Sequence, residues 1–313
     1  MEGCPARAIW HQRESQLCSA VSVMARRVAI IGLGLIGGSI GLALKRADAE
    51  AIELVGYARR PETADRARQI GAIDRTESSL PHAVSRADLV ILATPTMSIK
   101  EILSQIGPHV PSGCVVTDVA STKVQVMQWA EESLPQGVSF VGGHPMAGKE
   151  LSGIEVADAD LFKGCTYCVV PGRGVPEAAV STVVDLVHKV GARHVLLIAA
   201  EHDRFVAGIS HLPLILASAL VMATTQSPQW PKMSDVAATG YQSATRLASQ
   251  HPRMNRDICL TNGENIVAWI DEFTRELQRL RSLVAEGDLG LEEAFERARQ
   301  ARNAWIEKHG KTS

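Results

Sequence analysis

The sequence predicts an α/β fold, a doubly wound and mostly parallel sheet followed by an all-helical C-terminal domain. Three observations carry this reading. From Arg27 onward, short apolar β-branched runs alternate with helical stretches, as parallel strands joined by right-handed helical crossovers do. A glycine-rich string separates the first of these runs from the first helical stretch. After Ala200 no convincing strand follows, and helical patterns fill the remainder.

In order, the strand runs are Arg27–Ile31, Glu53–Tyr57, Leu89–Ala93, Cys114–Asp118, Ser139–Gly142, Thr166–Val170 and His194–Ile198. Amphipathic stretches such as Glu62–Ile70 and Lys100–Ile106 fill the gaps as helices. The second half reads as helices over Glu201–Ala223, Met233–Gln250, Met254–Glu286 and Leu291–His309. Gln226–Lys232, which holds Pro228 and Pro231, is the clearest interhelical loop. Pro213 lies inside the first of these helices and removes the bond to the carbonyl of Ile209, predicting a kink beside His211. The expected domains are a disordered extension over 1–25, an α/β domain over 26–199 and a helical domain over 200–313.

Composition narrows the function classes. A chain of 313 residues is longer than one hydrophobic core usually organises. With 46% hydrophobic and 21% charged residues it is globular, and a net charge of −2 leaves no basic footprint for nucleic acid. No apolar run approaches the roughly 18 residues of a membrane span; the nearest, Leu212 to Ala223, reads as a buried core helix. Residues 1–24 lack the apolar centre of a signal peptide. Six cysteines in a chain of this length do not form a disulfide framework, so a reducing, cytoplasmic setting is expected.

The string Gly32-Leu33-Gly34-Leu35-Ile36-Gly37 follows a strand and opens a helix, the context that makes G-x-G-x-x-G a dinucleotide fingerprint of the Rossmann type. Gly32 permits the turn, Gly34 lets a pyrophosphate approach, and Gly37 allows close helix packing. Leu35 and Ile36 open the helix whose N-terminus would receive the phosphates. The second strand should end in a carboxylate if the cofactor is NAD. It ends instead in Ala58-Arg59-Arg60, which favours NADP over NAD. The bland alternative is a pair of solvated surface arginines.

Other polar groups fall just beyond the carboxyl ends of strands, where open α/β sheets bind ligands. These are Thr94-Pro95, Ser121 with Lys123, and His144-Pro145. His144 stands in a glycine-flanked loop, and the proline after it restricts its backbone to extended geometry, so it is a candidate catalytic base. His202-Asp203 and His211 share a helix but lack a third ligand, and Cys165 and Cys168 would fall on opposite faces of a strand; no metal is expected. Arg246 is a cation in an otherwise apolar helix, either a surface charge or a carboxylate anchor.

Together these residues form a recognisable set. From about Arg26 to Leu283 the sequence resembles the prephenate/arogenate dehydrogenase family. The resemblance rests on Gly32–Ser39, Leu92–Thr96, Thr117–Lys123, Gly142–Gly148 and Ser210-His211-Leu212-Pro213. It implies a nicotinamide domain joined to a helical, dimer-forming domain, and oxidative decarboxylation on the path to tyrosine. By motif it implies that His144 takes the proton of the ring 4-hydroxyl and that Ser121 is its partner there. It further implies that His211 lines the pocket and that Arg246 holds a substrate carboxylate. Lys149 and Glu150 are candidate selectors between prephenate and arogenate, which differ by a keto or amino group. The chain departs from the family at Gly240–Arg246, where Gln242 and Ser243 replace the usual Arg and Asp. Rival readings are a β-hydroxyacid dehydrogenase, an imine reductase and a non-catalytic NADP sensor.

Overall fold

The computed structural model describes residues 25–48 and 51–309. The expected disordered extension lies, apart from Ala25, outside the described residues. The strand runs become β1 (Arg27–Ile31), β2 (Glu53–Tyr57), β3 (Arg75–Thr76), β4 (Leu89–Leu92), β5 (Val115–Asp118), β6 (Ser139–Pro145), β7 (Thr166–Pro171) and β8 (Arg193–Leu196). They form one sheet in the order β3-β2-β1-β4-β5-β6-β7-β8. The direction of winding reverses between β1 and β4, and in such sheets that switch point opens a crevice at the carboxyl ends of the strands. Every pairing is parallel except β6 with β7.

Helices cover both faces, which is why the central strands are near-continuous apolar runs rather than alternating. They are α1 (Leu35–Asp48), α2 (Pro61–Gln69), α3 (Leu80–Val84), α4 (Thr96–Ile106), α5 (Val124–Ser133), α6 (Glu177–Lys189) and α7 (Ala199–Val206). Val28 and Ile30 of β1 join a core layer with Ile40 and Leu44 of α1 and Val180, Val183 and Val187 of α6. Ala29 and Ile31 turn to the other face and pack with Ile99 and Leu103 of α4 and Trp129 of α5. Burial of each large aliphatic side chain contributes about 1.5–3 kcal/mol relative to exposure, so β1 is held from both sides.

After α7 come α8 (Leu212–Thr225), α9 (Trp230–Asp235), α10 (Thr239–Thr245), α11 (Pro252–Thr261), α12 (Gly263–Glu286) and α13 (Gly290–His309). The chain divides into two compact units. The first runs to Phe205 and takes back Ser249–Thr261, which contains α11; the second comprises Val206–Ala248 and resumes at Asn262.

Several expectations are corrected. β3 has only two residues and no apolar run to announce it. β6 does not stop at Gly142: antiparallel pairing carries it to Pro145, with His144 opposite Cys168. His144 is thus a buried strand residue, not a loop residue. The helix expected over Glu201–Ala223 contains a π-helical turn at Ala207–His211. Pro213 falls in the first turn of α8, directly after this wide turn. The expected loop Gln226–Lys232 already starts α9, with Pro231 in its first turn. The two long helices that follow are broken, one between α9 and α10 and one at Asn262. The run Ala199–Thr225 has 27 helical residues, long and apolar enough by length and composition alone to cross a membrane. The expectation that no stretch passes that test is corrected; a core helix passes it equally.

The fingerprint glycines split into separate duties. Gly32 has φ +101°, and a Cβ there would lie 2.4 Å from the carbonyl oxygen of Ala93. At Gly37 a Cβ would meet the carbonyl oxygen of Gly32 at 2.0 Å, whereas at Gly34 it would meet nothing within 4 Å. Gly37→Ala should therefore destabilise the fold by about 1–3 kcal/mol, the cost of forcing an extra carbon into packed backbone. Gly34→Ala should leave stability close to wild type. Urea unfolding midpoints of the two variants check this contrast, and equal destabilisation would contradict it.

Candidate active site

At the switch point the carboxyl ends of β1, β2 and β4 enclose a cavity of about 830 Å³. Of the residues expected to bind a dinucleotide, Gly32, Gly34, Ala58, Arg59, Arg60, Thr94 and Pro95 line it. Leu35, Ile36, Gly37 and Ser121, also expected there, are not among the lining residues. Leu35 and Gly37 are buried, and Gly37 packs on the Gly32 carbonyl, so these positions shape the turn from behind. Arg59 and Arg60 are exposed on the cavity rim. Glu62, Arg66, Glu155 and Arg253 also line it and were not foreseen. Arg66 holds Glu155 through both carboxylate oxygens at 3.1 Å, while Arg253 is supplied by α11 from more than a hundred residues away.

The cavity suits a dinucleotide on three counts. Open space faces Gly34, where a side chain would otherwise project. The first-turn amides of α1 have no intrahelical acceptor and favour an anion. The buried Thr94 Oγ1 has no hydrogen-bond partner, and a buried hydroxyl left so is costly unless a ligand satisfies it.

Beside this edge lies a chain of buried polar groups. Asp118 ends β5, and its carboxylate accepts the N–H of Ala120 at 2.9 Å and of Gly143 at 3.1 Å. The ammonium of Lys123 pairs with Asp118 and donates to the Gly143 carbonyl at 2.7 Å, with both charged side chains fully buried. These contacts fasten the loop carrying Ser121 to β6 one residue before His144. Gly143 is required there, because a Cβ would lie 2.5 Å from the Asp118 carbonyl oxygen. Ser121 itself is half-buried.

His144, 8% exposed, places Nδ1 2.9 Å from Nε2 of His202 on α7. His202 Nδ1 lies 2.7 Å from Asp203 Oδ1. The Asp203 carboxylate accepts the N–H of Lys123 at 2.7 Å and of Val124 at 2.8 Å, closing the start of α5. Burial lowers the His202 pKa below the usual histidine value, against the opposing pull of the Asp203 hydrogen bond. Sequence reasoning tested His202 and Asp203 only as metal ligands; the signal available was an adjacent His and Asp at the start of an apolar helix.

The remaining expected residues lie each within its own unit. Lys149 is exposed and engaged by Asp158 at 2.9 Å and by the Val156 carbonyl at 3.3 Å. This pairing lowers the Asp158 pKa, second to a backbone N–H from Asp160. Glu150 is exposed. In the helical unit His211 is buried, with Nδ1 3.3 Å from the Asn262 amide, and Arg246 is exposed at the start of the 3₁₀ turn Arg246–Ser249. Among the described residues no group of three or more metal-ligating side chains is found.

Comparison with known proteins agrees with this geometry. The family model described as prephenate dehydrogenase, nucleotide-binding domain, matches residues 40–196, and that of the prephenate dehydrogenase dimerization domain matches 198–297. Prephenate dehydrogenase of Bacillus subtilis (strain 168) is 37% identical over 269 residues, covering 85% of this chain and 72% of that protein. Cyclohexadienyl dehydrogenase of Zymomonas mobilis is 31% identical over 288 residues, covering 91% of this chain and 97% of that one. A crystal structure of A. aeolicus prephenate dehydrogenase, in complex with hydroxyphenyl propionate and NAD+, shares 29% identity at a TM-score of 0.83, covering 91% of this chain and 99% of that one. The chain belongs to the prephenate dehydrogenase family, and its activity is the dehydrogenation of prephenate or arogenate.

Proposed function

We propose that the chain oxidatively decarboxylates prephenate or arogenate with NADP as the preferred cofactor, using His144 as the base. The observation that carries the role of His144 is its place: buried at the end of β6, beside the ligand edge of the sheet, with its ring held through Nδ1. The nicotinamide supplies a hydride acceptor when bound. His144 accepts the proton of the ring hydroxyl as the carbon beneath it is oxidised, and Ser121 hydrogen-bonds that hydroxyl. Loss of the ring carboxylate as CO2 leaves an aromatic product, which makes the reaction practically irreversible. Arg246 holds a substrate carboxylate, and His211 lines the substrate pocket. Lys149, engaged by Asp158, is the weaker candidate for contact with an anionic substrate.

The preference for NADP rests on Ala58, Arg59 and Arg60 at the end of β2, where no carboxylate stands to bind a ribose hydroxyl or repel a phosphate. The second reading, NAD, is favoured by Glu62 on the same cavity wall and by the NAD+ in the A. aeolicus relative. A two-fold homodimer through the helical unit is supported by the exposed Leu277 and Val284 of α12 and Phe295 and Trp305 of α13. Among the described cysteines Cys114, Cys165, Cys168 and Cys259 are free, in keeping with a cytoplasmic setting.

Three measurements check these assignments. His144→Asn keeps a hydrogen-bonding side chain but no base, and kcat should fall by roughly 10²–10⁴ with cofactor binding little changed; near wild-type turnover would refute the role. Arg246→Ala should raise KM more than it lowers kcat, because the contact is made before and during hydride transfer. Lysine at that position should rescue it only in part. For the cofactor, a charge-assisted hydrogen bond of about 1.5–3 kcal/mol predicts a preference for NADP of roughly 10- to 150-fold in kcat/KM at low salt. Ala58→Asp with Arg59→Ala should invert it. Equal use of both cofactors by the wild type would refute the preference for NADP, and better use of NAD would support the second reading.

A further inference from the structure

Every atom that meets the Asp203 carboxylate through a described hydrogen bond to the main chain is a donor. The N–H groups of Lys123 and Val124 take one oxygen each, and the carboxylate is 1% exposed. It also closes the N-terminus of α5, where unsatisfied amides and the helix dipole favour negative charge. Both Asp203 oxygens therefore act as acceptors. The proton shared with His202 then sits on His202 Nδ1.

A neutral imidazole protonated at Nδ1 carries its lone pair at Nε2. That Nε2 faces His144 Nδ1, so His144 must donate from Nδ1 and carry its own lone pair at Nε2. We propose that His202, held by Asp203, is a positioning residue that fixes His144 in the Nδ1–H tautomer and thereby makes Nε2 the basic atom of the site. This rests on His144 being the base.

The charged groups around His202 agree. Burial and the Lys123 ammonium disfavour a charged His202, while Asp203 and Asp118 favour one, and the balance lies on the neutral side. When His144 takes the hydroxyl proton at Nε2 it becomes an imidazolium that still donates from Nδ1 to His202. The proton stays on His144; Asp203 supplies a fixed negative charge two groups away and does not itself become protonated. A His202 that served only as a satisfied core side chain would support packing without setting the tautomer of its neighbour.

The test uses the full chain labelled with ¹⁵N-histidine, with the His144 and His202 resonances assigned through His144→Asn and His202→Gln. In the wild type His144 should show a protonated Nδ1 and an unprotonated Nε2. His202→Gln offers an amide oxygen as acceptor and should keep that tautomer, with kcat within roughly tenfold of wild type. His202→Leu offers none; His144 should then shift towards Nε2–H, and kcat should fall by roughly 10²-fold or more with KM and cofactor affinity little changed. A wild-type His144 carrying its proton on Nε2, or a folded His202→Leu with unchanged tautomer and turnover, would overturn the proposal. Should the leucine variant fail to fold, the wild-type spectrum and the glutamine variant decide it alone. Failure of the base assignment is read separately, as a fully active His144→Asn beside an intact wild-type tautomer.

Discussion

Lys123 joins four pieces of the α/β unit at one buried point. Its ammonium meets the Asp118 carboxylate at the end of β5 and the Gly143 carbonyl in β6, while its backbone N–H meets Asp203 within α7 and its carbonyl begins α5. Placing both an ammonium and a carboxylate at zero exposure is expensive in desolvation, and such pairs hold only when further hydrogen bonds satisfy the remaining donors and acceptors. Here they do, for Asp118 also accepts two backbone N–H groups. Removing one partner would strand a buried charge, typically a loss of about 3–5 kcal/mol. The geometry of His144 depends on this point, because the residue before it is gripped from both its N–H and its carbonyl.

The strands that carry this arrangement were legible because a strand covered on both faces is largely apolar: β4 is so throughout, β1 and β2 depart only at their first residues Arg27 and Glu53, and β5 only at Thr117 and Asp118. The glycine string was legible for a related reason: backbone close to backbone leaves one residue type at Gly32 and Gly37. What sequence reading missed is non-local. β3 exists only because β2 offers it an edge. His144 belongs to β6 only because β7, twenty-odd residues on, returns antiparallel beside it. Local signals also conflicted. The pattern after Ala200 is helical almost throughout, and periodicity alone does not show the π turn at Ala207–His211 or the break at Asn262.

The candidate site divides along the same line. His144, Ser121 and Arg59 could be found one at a time, since each is an unexpected residue at the carboxyl end of a strand. The partners that give them direction could not. His202 is 58 positions from His144, and Asp203 is 80 from the amide of Lys123 that it accepts. Arg253 and Glu155 reach the cofactor cavity from α11 and from the short 3₁₀ turn Ile154–Val156. A residue that does chemistry is conspicuous by its type, whereas one that orients it is an ordinary buried polar group until the fold places it.

This difference has an energetic side. Arg59 and Arg60 stand at an exposed rim, where salt would screen the phosphate contact proposed for them. The chain from Asp203 to His144 is buried. There a misplaced proton leaves a donor facing a donor, which is costly away from bulk solvent. Cofactor choice therefore lies on the soft edge of the site, open to adjustment by one or two charges. On the proposal that His144 is the base, the identity of the basic nitrogen lies in its buried part, set by a carboxylate that accepts two backbone amides at the start of α5.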